Sequence, residues 1–469
     1  MERLDALLWE DNFFPLITSD CAMRDNSTIA AQWVRLAYHD MSTHTMWMTE
    51  QEVWTLPSPT SWIGHKGSVI DFLGFMDPAV SLSDTIAMGT VLGVASCGGP
   101  LIPFRGGRVD ATTAGPATVP EPQEDLASHT ESFRRQGLTQ SEMIGLVACG
   151  RSLGGVRQVD FPDIIPAPIP NDVALLDGTH AFDNKVITGY FDGTTPSPLV
   201  VGSNTTTNSD LRIFASDGNA TMQSLASADN FDKVCRDLFE RMIDTVPKGV
   251  QLTDVVEPMQ YKVGQSTLFP GTDGAFRFTT SLRVTGPNPS RTATLLWSDR
   301  QGSVCPDTGC SAPLVRMTSS AGSLMAVRRG LTGFSTYEFD TKINMTSSAS
   351  KFWFKIDEGD GTDPILVDND GPGLPIQQDV LLFDRARTGS VSDQSGSFLN
   401  LVLAVRTSDP TSKVSVLTFA VGSDTDPTPK RETVDLCGFP GSAHDRLYVF
   451  LQEVPPDVQQ QFALVRYDG

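Results

Sequence analysis

The chain has 469 residues, enough for two or three domains and a large core. A net charge of -21 and a pI near 4.6 oppose binding to nucleic acid or to an anionic membrane surface. No apolar run approaches the ~20 residues of a membrane span, so a soluble protein is expected, with no nucleic-acid and no membrane partner.

Residues 1–24 read as a lead-in whose Leu4, Leu7, Leu8 and Trp9 form a short helical face. No signal peptide is visible at Met1-Glu2-Arg3-Leu4, and the expectation is a mature form of a secreted chain. From Ser27 the run I-A-A-Q-W-V-R-L-A-Y-H-D is amphipathic and helical. Arg35 and His39 are four apart, so both project from one face, where a proton-transfer group beside a fixed cation can do acid–base work. Between Met41 and Trp62 lie three Trp and three Met, including Met46, Met48, Trp47, Trp54 and Trp62. They read either as an adaptable lining for an apolar ligand or as a repacked core.

Residues 78–96 form an apolar helix, followed by the Gly- and Pro-shaped loops P-F-R-G-G-R-V-D-A and A-G-P-A-T-V-P-E-P. Two helices, 123–137 and 139–153, flank a break at Gly137; Thr139 or Ser141 caps the second, and Gly154-Gly155 ends it. These glycines are no phosphate loop, since no strand precedes them and no Lys-Ser/Thr follows. Phe231–Val246 is the last amphipathic helix.

Near Val250–Pro258 the texture changes to short alternating runs such as A-F-R-F-T-T-S-L-R-V, K-F-W-F-K-I-D and R-L-Y-V-F-L-Q-E-V, divided by Gly, Pro, Asn and Asp. That pattern predicts a β-sandwich. The expected class is therefore multidomain α and β: a mainly α-helical domain over 1–252, then an all-β sandwich over 253–469. The acidic stretch Asp357–Asp370 reads as a solvated loop or a calcium loop. Of the seven cysteines, Cys305 and Cys310 fit a small disulfide loop around a tight turn, and the odd count leaves a free thiol, expected at buried Cys149. Sequons at Asn26, Asn204, Asn219 and Asn344 predict N-glycans.

Several of these segments resemble the secreted fungal haem peroxidases of the plant-peroxidase superfamily. W-V-R-L-A-Y-H-D resembles their distal helix, and A-C-G-R-S-L-G-G-V-R resembles a proximal helix whose usual form is close to A-C-G-H-T-L-G-G-V-H. The resemblance covers about residues 20–260 and implies a peroxidase-like N-terminal domain, a Cys21–Cys97 disulfide and a secreted protein. It assigns Arg35 and His39 the distal roles. The carboxylate that orients the proximal His falls, by the match to the F-D-N segment, on Asp183.

At the iron-ligand position, however, stands Arg151, and a guanidinium has no lone pair for a metal. Cys149, two residues away, is rotated by about 200° and faces elsewhere. The Gly-Asp run expected to hold a distal calcium after Asp40 is absent. The expectation is a protein without haem or metal, with Arg35, His39 and Arg151 as catalytic residues and an Arg151–Asp183 ion pair. Trp47, Trp54, Trp62, Met46, Met48 and Asp183 are the expected binding residues. The resemblance includes hetero-Diels–Alderases that dehydrate a tropolone alcohol and close it onto a terpene, which implies a small, largely apolar substrate. A haem peroxidase with an atypical ligand and a non-catalytic binding protein are the alternatives.

Overall fold

A computed structural model describes residues 1–10, 21–43, 66–111, 115–116, 118–271, 273–300, 302, 305–306, 309–376, 381–384 and 388, and from residue 389 the backbone of strands up to 468. Its helices are α1 (Glu2–Trp9), α2 (Ile29–Ser42), α3 (Lys66–Leu73), α4 (Leu82–Ser96), α5 (Leu126–Arg135), α6 (Gln140–Arg151), α7 (Lys185–Asp192), α8 (Pro198–Val201), α9 (Ser209–Phe214), α10 (Ala220–Ser224), α11 (Ala228–Ile243) and α12 (Leu324–Arg328).

Local chemistry sets the ends of the two helices that matter most. The Thr28 side chain accepts from the Ala31 amide at 3.0 Å to start α2. At α6 a capping box forms, with Thr139 and Glu142 satisfying each other's backbone amides, so Thr139 rather than Ser141 is the cap. Helix α4 is buried on every side. Its glycines let α2 and α3 come close: a Cβ on Gly93 would sit 3.1 Å from the Ala30 Cα of α2, and one on Gly89 would strike the Phe72 ring of α3. After α6, Gly154 takes φ +77, and a Cβ there would meet Ala31 at 2.5 Å. That contact brings the end of α6 onto the first half of α2.

Beside two short two-stranded ladders, 23–24 with 27–28 and 155–157 with 173–175, the described strands up to residue 375 form two antiparallel five-stranded sheets. One is centred on 276–285 and 334–343, the other on 292–298 and 351–357. Strand 276–285 alternates buried and half-buried residues for most of its length, and Phe278 meets Phe352 across the gap at 5.1 Å, so these sheets make a sandwich. Strands from 381 onward form a separate four-stranded and a separate three-stranded sheet. Leu382 of the 381–383 strand joins the buried cluster of the sandwich.

Helix α1, first in the chain, packs against the β part. Asp5, 1% exposed, accepts from Arg283 Nη1 at 2.7 Å and lies 3.3 Å from Lys262 Nζ, and Glu10 pairs with both cations. Arg283 Nη2 also donates to the Met259 carbonyl at 2.6 Å. Helix α12 reaches the other way, into the helical core, where Met325 and Ala326 join the buried cluster.

Candidate functional site

The candidate site lies between α2 and the end of α6. Trp33, Val34, Leu36 and Ala37 bury one side of α2, which leaves Arg35, Tyr38 and His39 half-buried on the other. The Arg35 guanidinium carbon sits 5.2 Å above the Phe161 ring. Burial pushes the Arg35 pKa down to about 10, and the positive charge of Arg151 adds to that shift; Asp160 and Glu121 act against it. Tyr38 has the same character. Its ring lies 5.8 Å from that of Phe133 on α5, and burial raises its phenol against the opposing influence of Gln136 and Arg151, so the phenol stays protonated.

Arg151, the last residue of α6, grips Asp210 with two hydrogen bonds, Nε to Oδ2 at 2.9 Å and Nη2 to Oδ1 at 3.2 Å. Asp210 lies at the start of α9 and is 1% exposed, whereas the Arg151 side chain keeps 35% of its surface. The expected partner, Asp183, is not there. Its carboxylate accepts from the Lys185 amide at 2.8 Å and pairs with Lys185 Nζ at 3.1 Å. Two turns of the chain offer an Asp, and the one that buries its carboxylate beneath α6 takes the arginine. Sequence reading missed Asp210, Tyr38 and Phe161. The run N-S-D-L-R-I-F that holds Asp210 carries the signal that could have found it.

Cys149 is also corrected: it bonds to Cys235 of α11 with both residues fully buried, so it is no free thiol. The opposite face of α6, on which Gly145 admits Leu238, points at α11. Cys21–Cys97 and Cys305–Cys310 are disulfides, as expected. The remaining cysteine, Cys437, lies outside the described residues, as do Met46, Met48, Trp47, Trp54 and Trp62.

Residues 18–227 match the sequence model of the peroxidase family. The matched segment, which holds α2 to α10, is similar to a peroxidase domain. The chain is 31% identical over 339 residues to a WSC domain-containing protein of Arthroderma benhamiae, which aligns 69% of this chain with 46% of that protein. It is 32% identical over 124 residues to the peroxisomal L-ascorbate peroxidase 5 of Arabidopsis thaliana, covering 26% of this chain and 40% of that one. The chain thus spans less than half the length of either relative.

The resemblance puts a haem ligand on α6, so the donors that this helix offers can be compared with what haem requires. Haem iron needs a lone pair from the protein. Arg151 has none, its guanidinium is engaged by Asp210, and Cys149 is oxidised into a disulfide. The donor set on α6 does not fit haem. Asp40, the residue after His39, is buried, its Oδ2 has no hydrogen-bond partner among the described residues, and burial with Asp110 nearby holds its carboxyl well above the usual range.

The described residues contain no group of three or more His, Cys, Asp or Glu side chains placed to hold a metal. The Asp357–Asp370 loop is mostly exposed, and Asp360 accepts from Thr362 within it. Asp177 lies near Asp183. Burial pushes its carboxyl from 3.8 up to about 6 despite hydrogen bonds from Thr179, and Asp183 adds to the rise. The folded protein holds this proton more tightly than the unfolded chain, so stability falls as the pH rises from about 4 to about 6. Asp177→Asn is expected to flatten that slope and raise stability at neutral pH. Urea midpoints at pH values either side of this window check it.

Proposed function

We propose that the crevice between α2 and α6 is a haem-free catalytic site for a small, largely apolar, oxygenated molecule. The observation that carries this reading is the bidentate Arg151–Asp210 pair at the end of α6, where the family resemblance expects an iron ligand. The same chain keeps Arg35 and His39 four residues apart on one face of α2. A site with a proton-transfer group and two guanidinium ions suits loss of water followed by ring closure, the hetero-Diels–Alder type of chemistry.

In that reaction protonated His39 gives its proton to a departing hydroxyl, the C–O bond breaks, and water leaves. The adjacent enol of the substrate then gives its own proton to the neutral His39, which restores the acid, so the net loss is one water and the product is a neutral heterodiene. Arg35 donates hydrogen bonds to the enol oxygen as charge develops on it, and the crevice holds diene and alkene together. No redox cofactor is needed. Three disulfides in the described residues support a secretory-pathway location, and the sequons at Asn26, Asn204, Asn219 and Asn344 would carry N-glycans there. Asn26 and Asn344 are exposed, while Asn204 and Asn219 are half-buried and hydrogen-bonded.

An absorption spectrum of protein purified from a haem-supplemented host tests the reading. A featureless Soret region is expected. A near-stoichiometric Soret band that persists through gel filtration would establish a haem protein with an atypical ligand instead.

A further inference from the structure

We propose that Arg35 and Arg151 together form an oxyanion subsite that takes the carboxylate or acidic enolate of a small, flat, monoanionic ligand. The inference deepens the haem-free reading and rests on it. Arg35 makes no hydrogen bond or ion pair among the described residues; its one recorded contact is with the face of Phe161. Arg35 is half-buried, so part of it stays accessible. A guanidinium stacked on one face and open at its edge is fixed in orientation and short of acceptors.

Arg151 supplies the second half. Asp210 occupies its Nε and Nη2, which leaves Nη1 as an uncommitted donor on a side chain that is 35% exposed. The Gly154–Ala31 contact carries the end of α6 against α2 one helical turn from Arg35, so the two cations border the same space. Their proximity is also felt electrostatically, since Arg151 makes the charged form of Arg35 harder to hold. An anion between them would relieve that repulsion.

The charges present select its valence. Two arginines and the Asp210 carboxylate sum to a single positive charge, which a monoanion neutralises and a phosphate dianion would overshoot. Other acids face the site without competing for it directly: Asp160 pairs with Arg157 at 3.2 Å, and Glu121 acts on Arg35 only at range. Tyr38 stays a neutral phenol and adds no negative charge, while its ring and that of Phe133 give the body of the ligand an apolar wall. Planar guanidinium edges match planar carboxylates and delocalised enolates best.

The probe is benzoate, titrated by calorimetry into the full chain, with benzamide as a neutral ligand of the same shape. Benzoate is expected to bind saturably and benzamide at least fivefold more weakly. Arg35→Gln is expected to weaken benzoate at least fivefold. The double variant Arg151→Ala/Asp210→Asn, which removes the second cation without stranding a buried carboxylate, is expected to do the same while circular dichroism shows the native fold. Equal binding of benzamide, no saturable benzoate binding, or a smaller loss in either folded variant would overturn the subsite. The haem spectrum is read on the same preparation. A Soret band would overturn the haem-free reading itself, whereas haem-free protein that ignores benzoate overturns only the subsite.

Discussion

Replacing Arg151 by Ala should destabilise the protein by about 3 kcal/mol, because it strands the Asp210 carboxylate in an interior that leaves it 1% exposed. Ser209 is the other recorded donor to that carboxylate, at 3.2 Å, and one hydroxyl does not replace a two-pronged guanidinium. Asp210→Ala should cost less, since the Arg151 side chain keeps 35% of its surface and can turn to water. The double variant Arg151→Ala/Asp210→Ala should cost less than the sum of the two. Asp183→Ala should change stability by under about 1 kcal/mol, as expected of a partly exposed pair. Denaturant midpoints of the four variants decide the matter: equal losses at Asp183 and Asp210 would mean that the buried pair has been misassigned.

A loss of similar or greater size is expected from Arg283→Ala, about 3–5 kcal/mol. This side chain is 4% exposed and serves Asp5, Glu10 and the Met259 carbonyl at once. Its removal leaves Lys262 as the remaining cation beside two carboxylates, at 3.3 Å from Asp5. Since these groups bind α1 to the first β sheet, the variant should also lose coupling between the two parts. Limited proteolysis should then cut near residues 253–260 earlier than in the parent, and calorimetry should resolve separate unfolding steps. A single transition at the parental temperature would contradict the clamp.

The helices were legible because their signals are local. The four-residue spacing of Arg35 and His39, the cap at Thr139 and the break at Gly137 each depend on neighbours within one turn. Arg151 was legible too, as a cation that closes an otherwise apolar helical run. Its partner was not, because Arg151 and Asp210 are 59 residues apart and a second Asp sits in an equally family-like segment. Choosing between them needs the path of the chain through α7 to α9. An odd number of cysteines likewise says that one is left over without saying which. Cys149 and Cys235 find each other only because α6 packs on α11.

The reach of α12 bears on how such a chain could have been assembled. Arg328 Nη1 donates to the Ala95 carbonyl at 2.7 Å and to the Gly99 carbonyl at 2.6 Å, so a cation from the β part closes the carboxyl end of α4. That helix is the one against which α2 rests. A peroxidase-like unit cut out at residue 252 would expose those carbonyls and lose the apolar plug of Met325 and Ala326. Recombination that exchanged the β part for an unrelated module would therefore have to bring its own arginine and its own plug. The two parts therefore lean on each other structurally, and substitutions around Arg328 are expected to loosen the packing of α4 on which α2 rests.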